Sequence, residues 1–227
     1  MNRNEFLAKV REAATSGLRY RIHARELPHS AGRSDDEADL FARFVREATA
    51  AGGRVQTCGD WDQARDGLRK LFRQYEPRTA LCWRHPTLDK LQLAGVLQTE
   101  GVERIDAETL AGLSREAQRS KILSADVGIT STTWAVAETG SLLLAHGLTN
   151  ERVASLAPPV YFAVVERSQI VQDLFDAVER LGEKGPAGMP SNATFVTGPS
   201  KTGDIETKLV TGVHGPGKWH LIVVDAA

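Results

Sequence analysis

Cysteine is scarce in this chain. Its two cysteines, Cys58 and Cys82, form no CxxC pair, so the chain cannot itself supply a four-thiolate zinc or iron–sulfur centre. Both read as buried strand residues. None of the six histidines pair at metal-ligand spacing, and His23, His29 and His85 read as solvated loop positions, so no metal site is expected. An excess of one charge is also missing. With 28 Lys and Arg against 29 Asp and Glu the formal net charge is −1, which lacks the basic footprint of a nucleic-acid or acidic-membrane binder. The longest apolar runs, "SLLLA" and "VYFAVV", are far too short to span a bilayer. The opening "MNRNEFLAKVREAATSG" has no signal-peptide core and reads as an amphipathic helix, so a cytoplasmic protein is expected. Nucleotide motifs fail as well. Gly198 to Gly203 has G-x-x-x-x-G spacing, but Asp204 and Ile205 follow where a phosphate-binding loop needs Lys and Ser/Thr. "GVHGPG" does not fit G-x-G-x-x-G.

What is present is alternation. Helical periodicity in "DEADLFARFVREATAAGG" stops at Gly52 and Gly53, and "RVQTC" follows as a strand. "WDQARDGLRKLFRQYEP" reads as helix, "TALCW" as strand, "PTLDKLQLAGVLQTEG" as one helix, "VERI" as strand and "AETLAGLSREAQRSKIL" as one helix. "SLLLAHG" and "PPVYFAVVE" read as strands joined by a longer polar loop. "SQIVQDLFDAVERLG" reads as a helix with Ile170, Leu174, Val178 and Leu181 on one face, and "EKGPAGMPSN" as a mobile surface loop. At the end come "TFVT" as strand, "GPSKTGD" as turn, "IETKLV" as helix capped by Gly212, and "KWHLIVV" as the last strand. This order predicts an α/β fold, a mainly parallel sheet flanked by helices. Residues 1–34 read as an N-terminal helix and arm packing on a single α/β domain at 35–227.

Two glycine-flanked loops concentrate polar residues. In the first, "AETGS", Glu138 stands at the edge of an apolar run. Partial desolvation there suits a carboxylate to acid–base or nucleophilic work, and a Glu bonding the N–H groups of a turn is the plainer alternative. Thr139 and Gly140 follow, Gly140 allowing a close approach of backbone or ligand. The second loop holds Gly198, Ser200, Lys201, Thr202, Asp204 and Glu206, with His214 and Gly215 just beyond. Beyond the carboxyl end of a strand, at the start of the expected helix, such a loop is placed to hold a ligand. Asp204 and Glu206 would already complement that helix's dipole, so a mixed-charge ligand, hydroxyls or a cation suits the loop better than a polyphosphate. The alternative is an Asp204 helix cap with Lys201 in a surface ion pair. The two loops are expected to share one cleft.

"ADVGIT", "AETGSLLL", "GPSKTGDIE" and "GVHGP", in this order and spacing, resemble the LUD-domain family, lactate-utilisation protein C type, from about Ser124 to Asp225. The family pattern tends to read AETGT where this chain has Ser141, and GPSRTADIE where it has Lys201 and Gly203. The resemblance implies a fold like that of the sugar-phosphate isomerase and CoA-transferase superfamily. It also implies a role in bacterial growth on L-lactate beside iron–sulfur subunits that oxidise lactate to pyruvate. This chain would then be the non-cluster component, with no cofactor of its own and a small-molecule ligand possible. By analogy with the CoA-transferases, whose nucleophile is a glutamate, Glu138 is the candidate catalytic residue of a self-contained enzyme, the alternative role.

Overall fold

The computed structural model describes residues 2–17, 39–147, 152–183, 185–205 and 208–226. The chain divides into two compact units, Met1–Arg33 and Ser34–Ala227. In the first, α1 (Arg3–Gly17) opens on a reciprocal cap: Glu5 N donates to Asn2 Oδ1 at 2.9 Å and Asn2 N to Glu5 Oε2 at 3.0 Å.

The second unit runs α2 (Leu40–Ala50), β1 (Arg54–Cys58), α3 (Trp61–Tyr75), β2 (Thr79–Cys82), α4 (Pro86–Lys90), α5 (Leu93–Thr99), β3 (Glu103–Ile105), α6 (Ala107–Leu110), α7 (Arg115–Leu123) and β4 (Val127–Thr130). Then come β5 (Trp134–Val136), β6 (Ser141–His146), β7 (Val160–Glu166), β8 (Ile170–Val171), α8 (Leu174–Gly182), α9 (Gly185–Gly188), β9 (Asn192–Val196), β10 (Lys201–Ile205), β11 (Lys208–Thr211) and β12 (Lys218–Val224). Aspartates start several helices. Asp39, Asp60 and Asp173 each accept a backbone N–H from the first turn of α2, α3 and α8.

Six strands form a parallel sheet in the order β1-β12-β7-β4-β2-β3, as the alternation predicts. Both faces of its centre are covered, so β7 is buried at every residue and β12 at all but its first. A second sheet, β8-β5-β6-β9, is mostly antiparallel. It explains "SLLLA". Leu142 and Leu144 belong to the main core, whereas Leu143 points the other way, into a cluster with Val136, Val171, Ala177 and Leu181 beneath α8. A strand buried on both faces cannot alternate apolar with polar.

Several helix boundaries differ from the sequence reading. "PTLDKLQLAGVLQTEG" breaks into α4 and α5 at Gln92, whose φ is 57°. "AETLAGLSREAQRSKIL" breaks at Gly112, φ +81°, and Ser114 caps α7. Ile170 is not on the amphipathic helix. With Val171 it forms β8, pairing with β5, and α8 starts only after its Asp173 cap. "EKGPAGMPSN" contains the short helix α9. The largest difference is "IETKLV". Its described residues are strand: β10 and β11 pair antiparallel, with a register shift between Thr202 and Ile205. The Ile205 and Leu209 spacing suggests a helix, but β-branched Thr202, Ile205, Val210 and Thr211 suit the pleat, and Gly203 disfavours helix. Gly212 therefore ends a hairpin, with φ +83°, rather than capping a helix. Among the described residues no helix is long and apolar enough to cross a membrane.

Candidate ligand cavity

The Gly198 loop leaves β9 and is fastened on two sides. Ser200 N donates to Pro216 O and Gly212 N to Ser200 O, each at 2.9 Å, and Gly217 N donates to Pro159 O at 3.1 Å. Between these segments and the strands lies a cavity of about 270 Å³. Its wall includes Ser155, Leu156, Tyr161, Thr194, Phe195, Thr197, Gly198, Ser200, His214, Gly215 and Trp219. Tyr161 and Trp219 are paired neighbours near the starts of β7 and β12. The loop does follow the carboxyl end of β9, but within the parallel sheet the cavity sits at the amino ends, opposite to the expected edge.

The carboxyl edge holds a polar network that is internally satisfied. Thr87 Oγ1 donates to Glu166 Oε1 and Lys90 Nζ to Glu166 Oε2, both at 2.6 Å. Glu166 N donates to Gln169 Oε1 at 2.8 Å, and Gln169 Nε2 to Ser131 Oγ at 3.2 Å. His85, read from sequence as a solvated loop residue, is half-buried there and accepts the Thr87 N–H at the start of α4. Burial lowers its pKa, with Glu166 and Asp89 opposing. His23 and His29 lie outside the described residues.

Of the sequence-predicted residues, Gly198, Ser200, His214 and Gly215 line the cavity. Glu138, Thr139 and Gly140 stand outside that lining, yet hydroxyls connect them to it. Thr139 Oγ1 is 2.7 Å from Ser141 Oγ, which is 2.6 Å from Thr197 Oγ1 in the wall. Glu138 is half-buried, and its N–H donates to Gln172 O at 3.0 Å. Gly140 has φ +63°, and a Cβ there would lie 2.1 Å from Ala48 N. Gly198 has φ +81°, and its Cβ would lie 2.3 Å from Ala51 O. Both turns therefore rest on the last turn of α2, and only glycine permits the approach. Lys201 points to the same helix end, its Nζ donating to Ala51 O at 2.9 Å, where it satisfies an orphan C-terminal carbonyl. Thr202 and Asp204 lie on β10 instead of at a helix N-terminus, and Glu206 lies outside the described residues. With no helix here, the dipole argument for this loop does not apply.

Sequence reasoning missed Ser155, Tyr161, Thr194 and Trp219. The two aromatics are embedded in apolar strand runs, where core packing is the expected use. Burial pushes the Tyr161 phenol well above its ordinary range, with the 2.6 Å bond to Thr130 Oγ1 opposing. Thr194 Oγ1 is 3.0 Å from Nε2 of buried His146, whose ring stands edge-on to Trp83. Among the described residues no group of three or more His, Cys, Asp or Glu is placed to hold a metal ion.

Residues 41–224 match the family model of the LUD domain. A lactate utilization protein C of Halalkalibacterium halodurans is 33% identical over 72% of this chain and 70% of its own length. A lactate utilization protein C of a Geobacillus strain is 31% identical over 98% of this chain and 95% of its own length. A DUF162 family protein from Deinococcus radiodurans, known from a crystal structure, has the same fold, with a TM-score of 0.60 and 23% identity over 84% of this chain and 99% of its own.

Proposed function

This chain belongs to the LUD domain family, and from that premise we propose that it serves lactate utilisation as the non-cluster component of an iron–sulfur system converting L-lactate to pyruvate. The observation that carries the reading is the end-to-end likeness to the Geobacillus lactate utilization protein C. The oxidation releases two electrons and two protons. Electron transfer through iron–sulfur partners agrees with a sequence whose two cysteines are buried on separate strands, β1 and β2. On this reading the chain works in the cytoplasm, carries no cofactor of its own, and contributes the cavity beside β7 and β12. Affinity purification from lactate-grown cells tests it. Co-elution of iron–sulfur subunits is expected, and their absence under conditions that preserve complexes contradicts the partnership.

One observation favours a second reading, a self-contained enzyme of the isomerase or CoA-transferase kind. The Thr139–Ser141–Thr197 hydroxyl chain joins the turn bearing Glu138 to the cavity wall. Glu138→Gln keeps size and hydrogen bonding but removes the charge and the nucleophilic oxygen. A folded Glu138→Gln protein that restores lactate growth to a deletion strain supports the accessory role. Folded protein that fails to restore it supports chemistry at Glu138.

A further inference from the structure

Trp219 lines the cavity yet is only 1% exposed, and its indole N–H meets no acceptor among the described residues. The rest of the polar wall is largely engaged. Tyr161, its paired neighbour on β7, shares a hydrogen bond with Thr130, Thr197 with Ser141 and Thr194 with His146, while Ser155 donates to Arg152 O. A buried donor without a partner is costly, and native proteins rarely keep one without a use. One edge of the indole is packed. Trp219 Cε3 would stand 3.0 Å from a Cβ at Gly53, so that ring edge is packed against the α2–β1 turn.

We propose that the cavity is a binding site for a small carbonyl or carboxylate compound, one of whose oxygens accepts the Trp219 N–H. An indole nitrogen donates only, so the ligand atom beside it must be an acceptor. Val196, Pro199 and Pro216 in the same wall pack the carbon body. The N–H is closed to water in this state, so the ligand reaches it through a small shift of the indole and then supplies the missing acceptor. This assignment rests on the lactate-utilisation reading for its choice of probes, which are L-lactate, pyruvate and pyruvamide.

The test is calorimetric titration of the full chain with these three probes. Wild type is compared with protein in which Trp219 is replaced by 3-benzothienylalanine, which keeps the ring shape and lacks the N–H. Wild type is expected to bind at least one probe, and the isostere to bind that probe about tenfold more weakly. Without ligand, the isostere is expected to melt at or above the wild-type temperature, because it has lost only an unpaired donor. Equal affinity in the two proteins overturns the assignment, and so does a clearly lower melting temperature of the isostere, which would reveal a partner in the free protein. Failure of wild type to bind any probe also overturns the ligand class. The growth of a deletion strain on lactate decides the wider role separately.

Discussion

Gly140 and Gly203 look alike in sequence and differ physically. A Cβ at Gly140 would meet the α2 backbone at 2.1 Å from a left-handed φ, whereas a Cβ at Gly203 meets nothing within 4 Å. Gly140→Ala is expected to cost at least about 2 kcal/mol in urea unfolding, and Gly203→Ala to stay within about 0.5 kcal/mol of wild type. His220 makes a prediction in pH. Its Nε2 is 2.8 Å from Tyr75 Oη, and burial, then Arg54 and Lys218, lower its pKa from 6.5 to about 4. The fold therefore favours the neutral ring. That stabilisation is complete above pH 6.5 and is lost as pH falls from 6.5 toward 4, by an upper bound of about 3 kcal/mol. His220→Gln, which cannot titrate, is expected to flatten stability between pH 7.5 and 4.5 in denaturant titrations. An unchanged slope contradicts the assignment. Neither Gly140 nor the core residue His220 shows its role in sequence alone. A glycine before an apolar run signals a close approach without naming α2 as the neighbour, and a histidine in "KWHLIVV" does not name Tyr75.

At the scale of elements, legibility followed the number of competing patterns. The strands of the parallel sheet stood out because apolar runs bounded by turn residues match a doubly covered sheet. "IETKLV" misleads because Ile205 and Leu209 have the i and i+4 spacing of a helix face, yet stand on two paired strands, β10 and β11. The positions of the loops were illegible for a different reason. That the "AETGS" turn and the Gly198 loop rest on one helix end is a tertiary fact, encoded only in two glycines. Lys201 shows the consequence, since a lysine expected at a ligand instead satisfies Ala51 O at the end of α2. Lys201→Met is expected to lower stability by about 0.5–1 kcal/mol while leaving cavity binding unchanged. Paired unfolding and calorimetric measurements check this, and loss of binding with full stability would return Lys201 to the ligand.

Across the whole molecule, the parallel sheet offers two edges, and general experience with α/β folds points to the carboxyl one. Here that edge is occupied by the Glu166, Thr87, Lys90 and Gln169 network, and the described cavity opens at the amino ends of β7 and β12. Glu166→Ala should therefore act on stability, leaving Thr87 and Lys90 without their acceptor, and should not change ligand affinity. The second sheet makes the amino-edge cavity possible. β9 brings Thr194 and Phe195, and the residue after its end, Thr197, beside Tyr161 and Trp219, residues far apart in sequence. Growth of a strain deleted for this chain, on L-lactate and on pyruvate as sole carbon sources, tests the central claim most directly. Impaired growth on L-lactate with normal growth on pyruvate, restored by the wild-type chain, is the predicted result. Normal growth on L-lactate in the deletion strain, with no second copy of the gene present, would contradict a role in lactate utilisation.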